Sequence, residues 1–153
     1  MLLKMVPETI AATWPNISEH IERALPADEL TETTMNNLLN MLLLEHASCW
    51  VSYDSENERE INFVIVLMPV NNRITGEKNL LIYSMSSAGN VDLKTSNRMW
   101  LEGFQAMQKY MKANGYRKLV SYFNERNNRS LKMAERYGAE IKYYIEIDMA
   151  KEG

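Results

Sequence analysis

The sequence is poor in the residues that usually mark a catalytic or metal-binding apparatus. It has one cysteine, Cys49, and two histidines, His20 and His46, among 153 residues. A single thiol excludes an intramolecular disulfide, which suits a reducing compartment. Cys49 lies in an apolar stretch without a companion motif, the pattern of a buried inert thiol. The two histidines lack metal-ligand spacing, and no Ser-His-Asp arrangement can be read from the order of residues. Six glycines and four prolines are too few and too scattered to form a linker or a disordered arm. No repeat recurs at a fixed period. The longest apolar run, Phe63 to Val70, is far too short to span a bilayer. The start, MLLKMVPET, lacks a signal-peptide core and cleavage pattern. The expected setting is therefore the cytoplasm, or a particle assembled in it.

What is present fits one globular domain over residues 1–153, long enough to bury a core. Hydrophobic residues make up 46% and charged residues 24%, both ordinary for a globular chain. The net charge of −3 hides an asymmetry. Residues 1–90 carry five Lys/Arg against twelve Asp/Glu, and residues 91–153 carry twelve against eight. The C-terminal part is thus the part that attracts an anionic partner. Methionine is abundant, at eleven, and suits irregular cores and adaptable interfaces. Met68, Met107, Met111 and Met133 fall at core positions, whereas Met85 and Met99 flank a candidate cleft.

Periodicity supplies the elements. Residues 1–11 accommodate a short first strand. Asn16, with Glu19 three residues on, reads as a capping box opening a short helix that Pro26 stops. A second helix is predicted over Thr31 to Ala47, with an apolar stripe of Met35, Leu38, Leu39, Leu42 and Leu43. His46 then falls at a helix end, where its charge is mildly favourable. Ser48 to Asp54 and Asn79 to Met85 read as strands. Between them, Ile61 to Met68 is nearly continuous apolar, the mark of a strand covered on both faces, and Pro69 is expected to end it. A polar loop, SSAGNVDLKTSN, precedes the clearest helix, in which Trp100, Phe104, Met107 and Met111 share a face and Asn114-Gly115 forms the end. Tyr116 to Phe123 is a strand, Asn127 to Tyr137 a helix, and Ile141 to Met149 a strictly alternating last strand. The order predicts an α/β mixed sheet with a right-handed crossover between two parallel strands.

In such a sheet, ligands bind beyond the carboxyl ends of the parallel strands. Here that is the loop from Ser84 to Asn97 and the helix start after it, where unpaired N–H groups attract phosphate or carboxylate. Lys94, Thr95, Ser96, Asn97 and Arg98 add charge and donors, and a capping role for Ser96 is the plainer reading. Arg129, Lys132 and Arg136, with Arg126 nearby, form a basic stripe on the late helix. It suits the 3′-phosphate end of a nucleotide cofactor, an acidic protein, nucleic acid, or plain solvation. The net acidity of the chain argues against a dedicated nucleic-acid binder.

The element order and the segment NNRSLKMAERYGA, from Asn127 to Ala139, resemble the GNAT acyltransferase superfamily. Its members often carry Asn, two residues, Ala, two residues, Leu-Tyr, three residues and Gly-Phe over the same helix–strand junction. Asn127, Ser130, Met133 and Gly138 stand at its named positions, and Glu135 and Arg136 in the variable stretch before the glycine. The resemblance implies a GNAT-like acyl-CoA N-acyltransferase fold. That fold has two N-terminal helices, a central mixed sheet of about six to seven strands and two crossover helices. It implies acetyl-CoA or another acyl-CoA as cosubstrate, its pyrophosphate on the loop before the crossover helix and its pantetheine arm between two splayed parallel strands. Met85, Lys94, Ser96, Asn97, Arg98, Asn127 and Arg129 are then the candidates to hold it, and Tyr137, Ser84 and Tyr83 the candidates for proton transfer.

The sequence departs from the family at three places. Counting back from Gly115 puts Arg98 and Trp100 where the phosphate loop carries glycine. Ala134 stands where a tyrosine often protonates the leaving thiolate, with Tyr137 one turn on. The strand Asn79 to Met85 has no carboxylate to act as base. Three readings follow: an acyl-CoA N-acyltransferase; a lapsed GNAT-fold protein in a protein assembly or homo-oligomer, like the internal virion proteins of tailed phages that resemble this fold; or a nucleic-acid-binding module using the Arg126–Arg136 stripe.

Overall fold

The computed structural model describes residues 1–53, 60–87, 93–122 and 129–150. The near-continuous apolar run becomes the central strand, β3 (Ile61–Asn71), and its two faces explain its composition. Val64 and Val66 enter one core, while Ile65 and Leu67 enter another on the opposite face. A strand flanked by two layers has no face left for polar residues.

Two helices cover the first face. In α1 (Pro7–Ala24) and α2 (Glu32–Leu43), Ile10, Ile17, Ile21, Met35, Leu38 and Leu42 meet Cys49, Val51, Val64 and Val66. The second face is covered by α3 (Leu93–Asn114), whose Met107 and Met111 pack with Leu2, Trp50, Ile65, Leu67 and Leu80. The remaining strands are β1 (Leu2–Lys4), β2 (Ser48–Tyr53), β4 (Lys78–Ser87) and β5 (Lys118–Ser121). They lie in sequence order, antiparallel from β1 to β4 and parallel between β4 and β5. Asn114-Gly115 ends α3 as predicted, with Gly115 at a φ of 74° that a side chain would strain.

The chain divides into two compact units, Met1–Tyr122 and Phe123–Gly153. The second holds α4 (Arg129–Arg136), with Gly138 at a φ of 91° after it.

Four expectations are corrected. The first helix starts at Pro7, so Asn16 lies inside α1 and caps nothing; Pro7 sits at the helix start where a missing N–H costs nothing. Pro15 is inside that helix, tolerated because Ile10, Ile17 and Ile21 are buried along one face. Strand β3 runs through Pro69 to Asn71. Its pairing with β2 stops at Leu67, so Pro69 lies in a local edge, where a missing N–H can face away from the ladder. The second helix ends at Leu43, and Glu45 turns the chain with a φ of 60°. Finally, the sheet has five strands among the described residues, not six or seven. Ile141 to Met149 keeps its alternation but forms no ladder, because a strand exists only through a partner.

The two parallel strands are stitched at their starts. Glu77 bridges Arg117 at 3.3 Å and Lys118 at 3.1 Å, and its carboxyl is held below the usual range chiefly by the hydrogen bond from Lys118. The Lys118 N–H donates to Asn79 Oδ1 at 3.1 Å, and Lys78 Nζ donates to the Asn114 carbonyl at 2.8 Å. Tyr110 stacks on Tyr116 and meets Trp50 edge-on at 4.9 Å, tying the end of α3 to the same end of the sheet.

Two outcomes follow from this core. Ile17 is 0% exposed, and Ile17→Ala lowers unfolding free energy by about 3 kcal/mol, read from the urea midpoint at unchanged slope. Burial pushes the Cys49 thiol up to about 12, so iodoacetamide at pH 8 labels it only after denaturation.

Candidate functional site

Opposite the stitched end, the described pairing of β4 with β5 stops. Their pairing runs from Asn79↔Lys118 to Ile82↔Ser121 and goes no further among the described residues. Strand β4 itself continues to Ser87 along β3. At the same point the β3–β4 register shifts: Leu67 pairs with Ile82 and Val66 with Ser84, leaving Tyr83 as an extra residue. Such a β-bulge bends its strand locally.

The bulge also sorts the side chains. Ile82 and Met85 pack on the α3 side, whereas Tyr83 packs on the side of α1 and α2. Ser84 and Ser86 stand opposite Val66 and Val64, which belong to that same side. Ser84 is 6% exposed, and the hydroxyls of Ser84 and Ser86 are buried with no hydrogen-bond partner among the described residues. Desolvation pushes the Tyr83 phenol above its ordinary value, and Glu29 in the α1–α2 connection adds to it. The hydroxyl of Tyr83 is thus a proton donor, not an anion, near neutral pH.

Helix α1 packs across β4 and carries a second polar group into the same layer. His20 is buried with Nδ1 unpartnered among the described residues. Desolvation, then Arg23, lower its pKa, with Glu19 opposing them weakly.

The helix after β4 starts earlier than the sequence pattern predicts. It begins at Leu93, so Ser96 is not its cap. Lys94 and Ser96 lie at the first turn, and Asn97 and Arg98 follow in the second. The last two offer side chains, since the spare backbone N–H groups belong to the first turn. Lys94 and Arg98 are exposed, make no ion pair among the described residues, and have no acidic residue in the first turn beside them. Two cations at the positive end of a helix repel its dipole and favour a bound anion. Arg98 and Trp100 are therefore inside α3, not in a loop before it. The one glycine between β4 and α3, Gly89, lies outside the described residues.

The topology agrees with solved structures along nearly the whole chain. A predicted acetyltransferase from Clostridium acetobutylicum, solved with acetyl-CoA, superposes with a TM-score of 0.70 at 12% identity, over 98% of this chain and 96% of that one. The chain has the GNAT acetyltransferase fold. A ribosomal-protein-alanine N-acetyltransferase from Brucella melitensis biovar Abortus matches with a TM-score of 0.66 at 9% identity, covering 97% of this chain and 98% of that one. An aminoglycoside acetyltransferase from an uncultured soil metagenomic sample, bound to sisomicin, matches at 0.69 and 10% identity over 97% and 96%. No protein-family model and no curated protein sequence matches the chain.

On this GNAT scaffold, the structure gathers Tyr83, Ser84 and Met85 at the bulge and Lys94, Ser96, Asn97 and Arg98 at the start of α3. Tyr137 follows α4 in the second unit, where Arg129 is the first helical residue. Asn127 lies outside the described residues. Sequence reading missed Ser86 and His20. The alternation Ser84-Met85-Ser86 signals two hydroxyls on one face, and His20 falls three residues after Ile17 on a buried stripe. No group of three or more His, Cys, Asp or Glu among the described residues is placed to hold a metal, and no described helix is long and apolar enough to cross a membrane.

His20 makes stability depend on pH. The folded state binds its proton less readily than the unfolded chain does, so stability is complete above 6.5 and falls as pH drops below it. The urea midpoint declines between pH 7.5 and 5.5, and His20→Phe flattens that slope.

Proposed function

We propose that the chain transfers an acyl group from an acyl-CoA to an amine. The observation that carries this reading is the Tyr83 bulge in β4, at the point where its described pairing with β5 ends, on a GNAT fold. Beyond Ile82, the β4 backbone on the side of β5 has no strand partner among the described residues. Such an edge can receive an extended, amide-bearing arm as a strand would. Buried orphan hydroxyls on Ser84 and Ser86 fit a polar substrate better than an apolar filling. Lys94, Arg98 and the start of α3 fit its phosphates. Of the remaining candidates, Asn127 and Arg129 are assigned to the nucleotide end by the same resemblance. The region from Met1 to Gly153 is read as one functional domain.

In the reaction, the amine nitrogen attacks the thioester carbonyl carbon. The new C–N bond forms as the C–S bond breaks; the nitrogen loses a proton and the thiolate sulfur gains one. Tyr83, kept protonated by burial and Glu29, is suited to supply the sulfur's proton. Ser84, one residue on, supports a role as donor to the developing oxyanion, and Tyr137 is the alternative proton donor. Strand β4 carries no carboxylate, so the acceptor amine must lose its proton to water or to a neutral group such as His20. That gap also supports a second reading, a lapsed GNAT-fold protein that serves in an assembly.

Acetyl-CoA at a hundred times its Kd raises Tm by about 5–10 °C. An unchanged Tm at millimolar acetyl-CoA rejects both binding and transfer. With an accepted amine, Tyr83→Phe lowers kcat at least about tenfold and leaves the acetyl-CoA shift intact. A full thermal shift without transfer to any amine tried favours the assembly reading.

A further inference from the structure

The turn between β3 and β4 holds an apolar side chain out in water. Ile74, at its tip, is 96% exposed. Single exposed apolar residues are common on protein surfaces. This one is set apart by what fixes it and what surrounds it. Asn72 closes the turn. Its Oδ1 accepts the N–H groups of Ile74 at 3.0 Å and Thr75 at 3.2 Å, its carbonyl accepts that of Gly76 at 2.8 Å, and its own N–H donates to the Glu77 carbonyl at 2.8 Å. The backbone therefore fixes Ile74 in place without burying it.

The surroundings are basic. Thr75, Gly76 and Lys78 line one open hollow together with Gly115 and Arg117 from the α3–β5 connection. Residues 72–78 and 111–118 carry Arg73, Lys78, Lys112, Arg117 and Lys118 against Glu77 alone, in a chain whose net charge is −3. All of these cations are exposed, and Arg73 and Lys112 make no ion pair among the described residues. Glu77 and the Lys78–Asn114 bond tie the two turns together, so the surface is preformed and little ordering opposes binding. Every residue of it belongs to the unit Met1–Tyr122.

A fixed aliphatic tip among cations matches the boundary between lipid headgroups and acyl chains. Nucleic acid offers the same phosphates but rewards aromatic stacking, and the nearest rings are already taken. Tyr110 and Tyr116 stack on each other, with Lys4 over the first at 5.6 Å and Lys78 over the second at 4.7 Å. We propose that this corner docks the chain onto the surface of an anionic phospholipid membrane. Ile74 enters the acyl boundary, and Arg73, Lys112, Arg117 and Lys118 lie among the headgroup phosphates. The chain rests on the bilayer and does not cross it. The rest of the chain is net acidic, so the same surface repels it and sets the orientation. The candidate acyl-transfer site lies at the far end of β4, away from the lipid.

The test uses the whole chain and vesicles of phosphatidylglycerol and phosphatidylcholine in equal parts. Wild type cosediments with them, is released by rising salt, and ignores vesicles of phosphatidylcholine alone. Ile74→Ser weakens binding about tenfold at unchanged Tm, since its side chain is exposed. Arg73→Glu and Lys112→Glu each weaken it by about tenfold or more. A polarity-sensitive fluorophore on Ile74→Cys shifts to the blue on the mixed vesicles and is quenched by brominated acyl chains. The same probe on Asp28→Cys, in the α1–α2 connection, stays in water, and buried Cys49 stays unlabelled. Absence of binding to the mixed vesicles, an Ile74 probe that stays in water, or displacement of the vesicles by duplex DNA at equal phosphate concentration overturns the proposal. None of these readouts involves acyl-CoA, so membrane docking and acyl transfer stand or fall separately.

Discussion

Strands β4 and β5 are bound tightly at their first residues, while β4 runs on beyond its described pairing with β5, and the candidate site depends on that difference. Glu77, Lys78, Asn79, Arg117 and Lys118 close one end with ion pairs and hydrogen bonds. At the other end, the extra residue Tyr83 bends β4 after only four paired positions. Parallel strands normally stay in register along their length, because each lost ladder bond leaves backbone groups to be satisfied elsewhere. Here the neighbouring strand β3 holds the bent end in place, pairing with β4 as far as Ser87. Strand β4 is therefore held along β3 past the point where its described pairing with β5 ends.

The same layer carries polar atoms that the described residues do not satisfy. The hydroxyls of Ser84 and Ser86 and the Nδ1 of His20 are buried without partners among the described residues. Each unsatisfied buried group costs about 1–3 kcal/mol. The layer around them is otherwise apolar, with Ile17, Ile21, Val64 and Val66 all buried. Simple core formation would favour Ala or Val in place of the serines. Unsatisfied polar groups beside a bent strand are where stability rules give way to binding.

Much of the scaffold is legible in the sequence because burial writes itself as periodicity. The double-sided run of β3, the stripe of α3 ending at Gly115 and the parallel crossover all follow from apolar spacing. Boundaries are less legible where two local signals compete. Asn16 looks like a cap, yet the buried positions at Ile10 and Ile17 draw the helix back to Pro7. Pro69 looks like a stop, yet the early end of β2 frees one edge for it. The bulge at Tyr83 has no sequence signature, since it is a property of two strands in register. The site is legible as a region, from Ser84 to Arg98, but its centre is a pairing offset that single-chain patterns do not encode.

The position of α3 also changes what the family departures mean. Glycine matters in a phosphate loop because backbone must approach the anion closely. Arg98 and Trp100 lie within the helix, so their side chains project from its surface and do not replace that glycine. Arg98 is then an exposed cation one turn from Lys94, which suits the proposed phosphate site. The departures that remain concern protons: β4 has no carboxylate, and Ala134 has no proton to give. On the proposed acyl-transfer reading, the groups that would hold a phosphorylated thioester and those that would move protons are separate in this chain. The first rest on charge and backbone geometry. The second rest on Tyr83 and Ser84 at the bulge in β4 and on His20 in the helix packed across that strand.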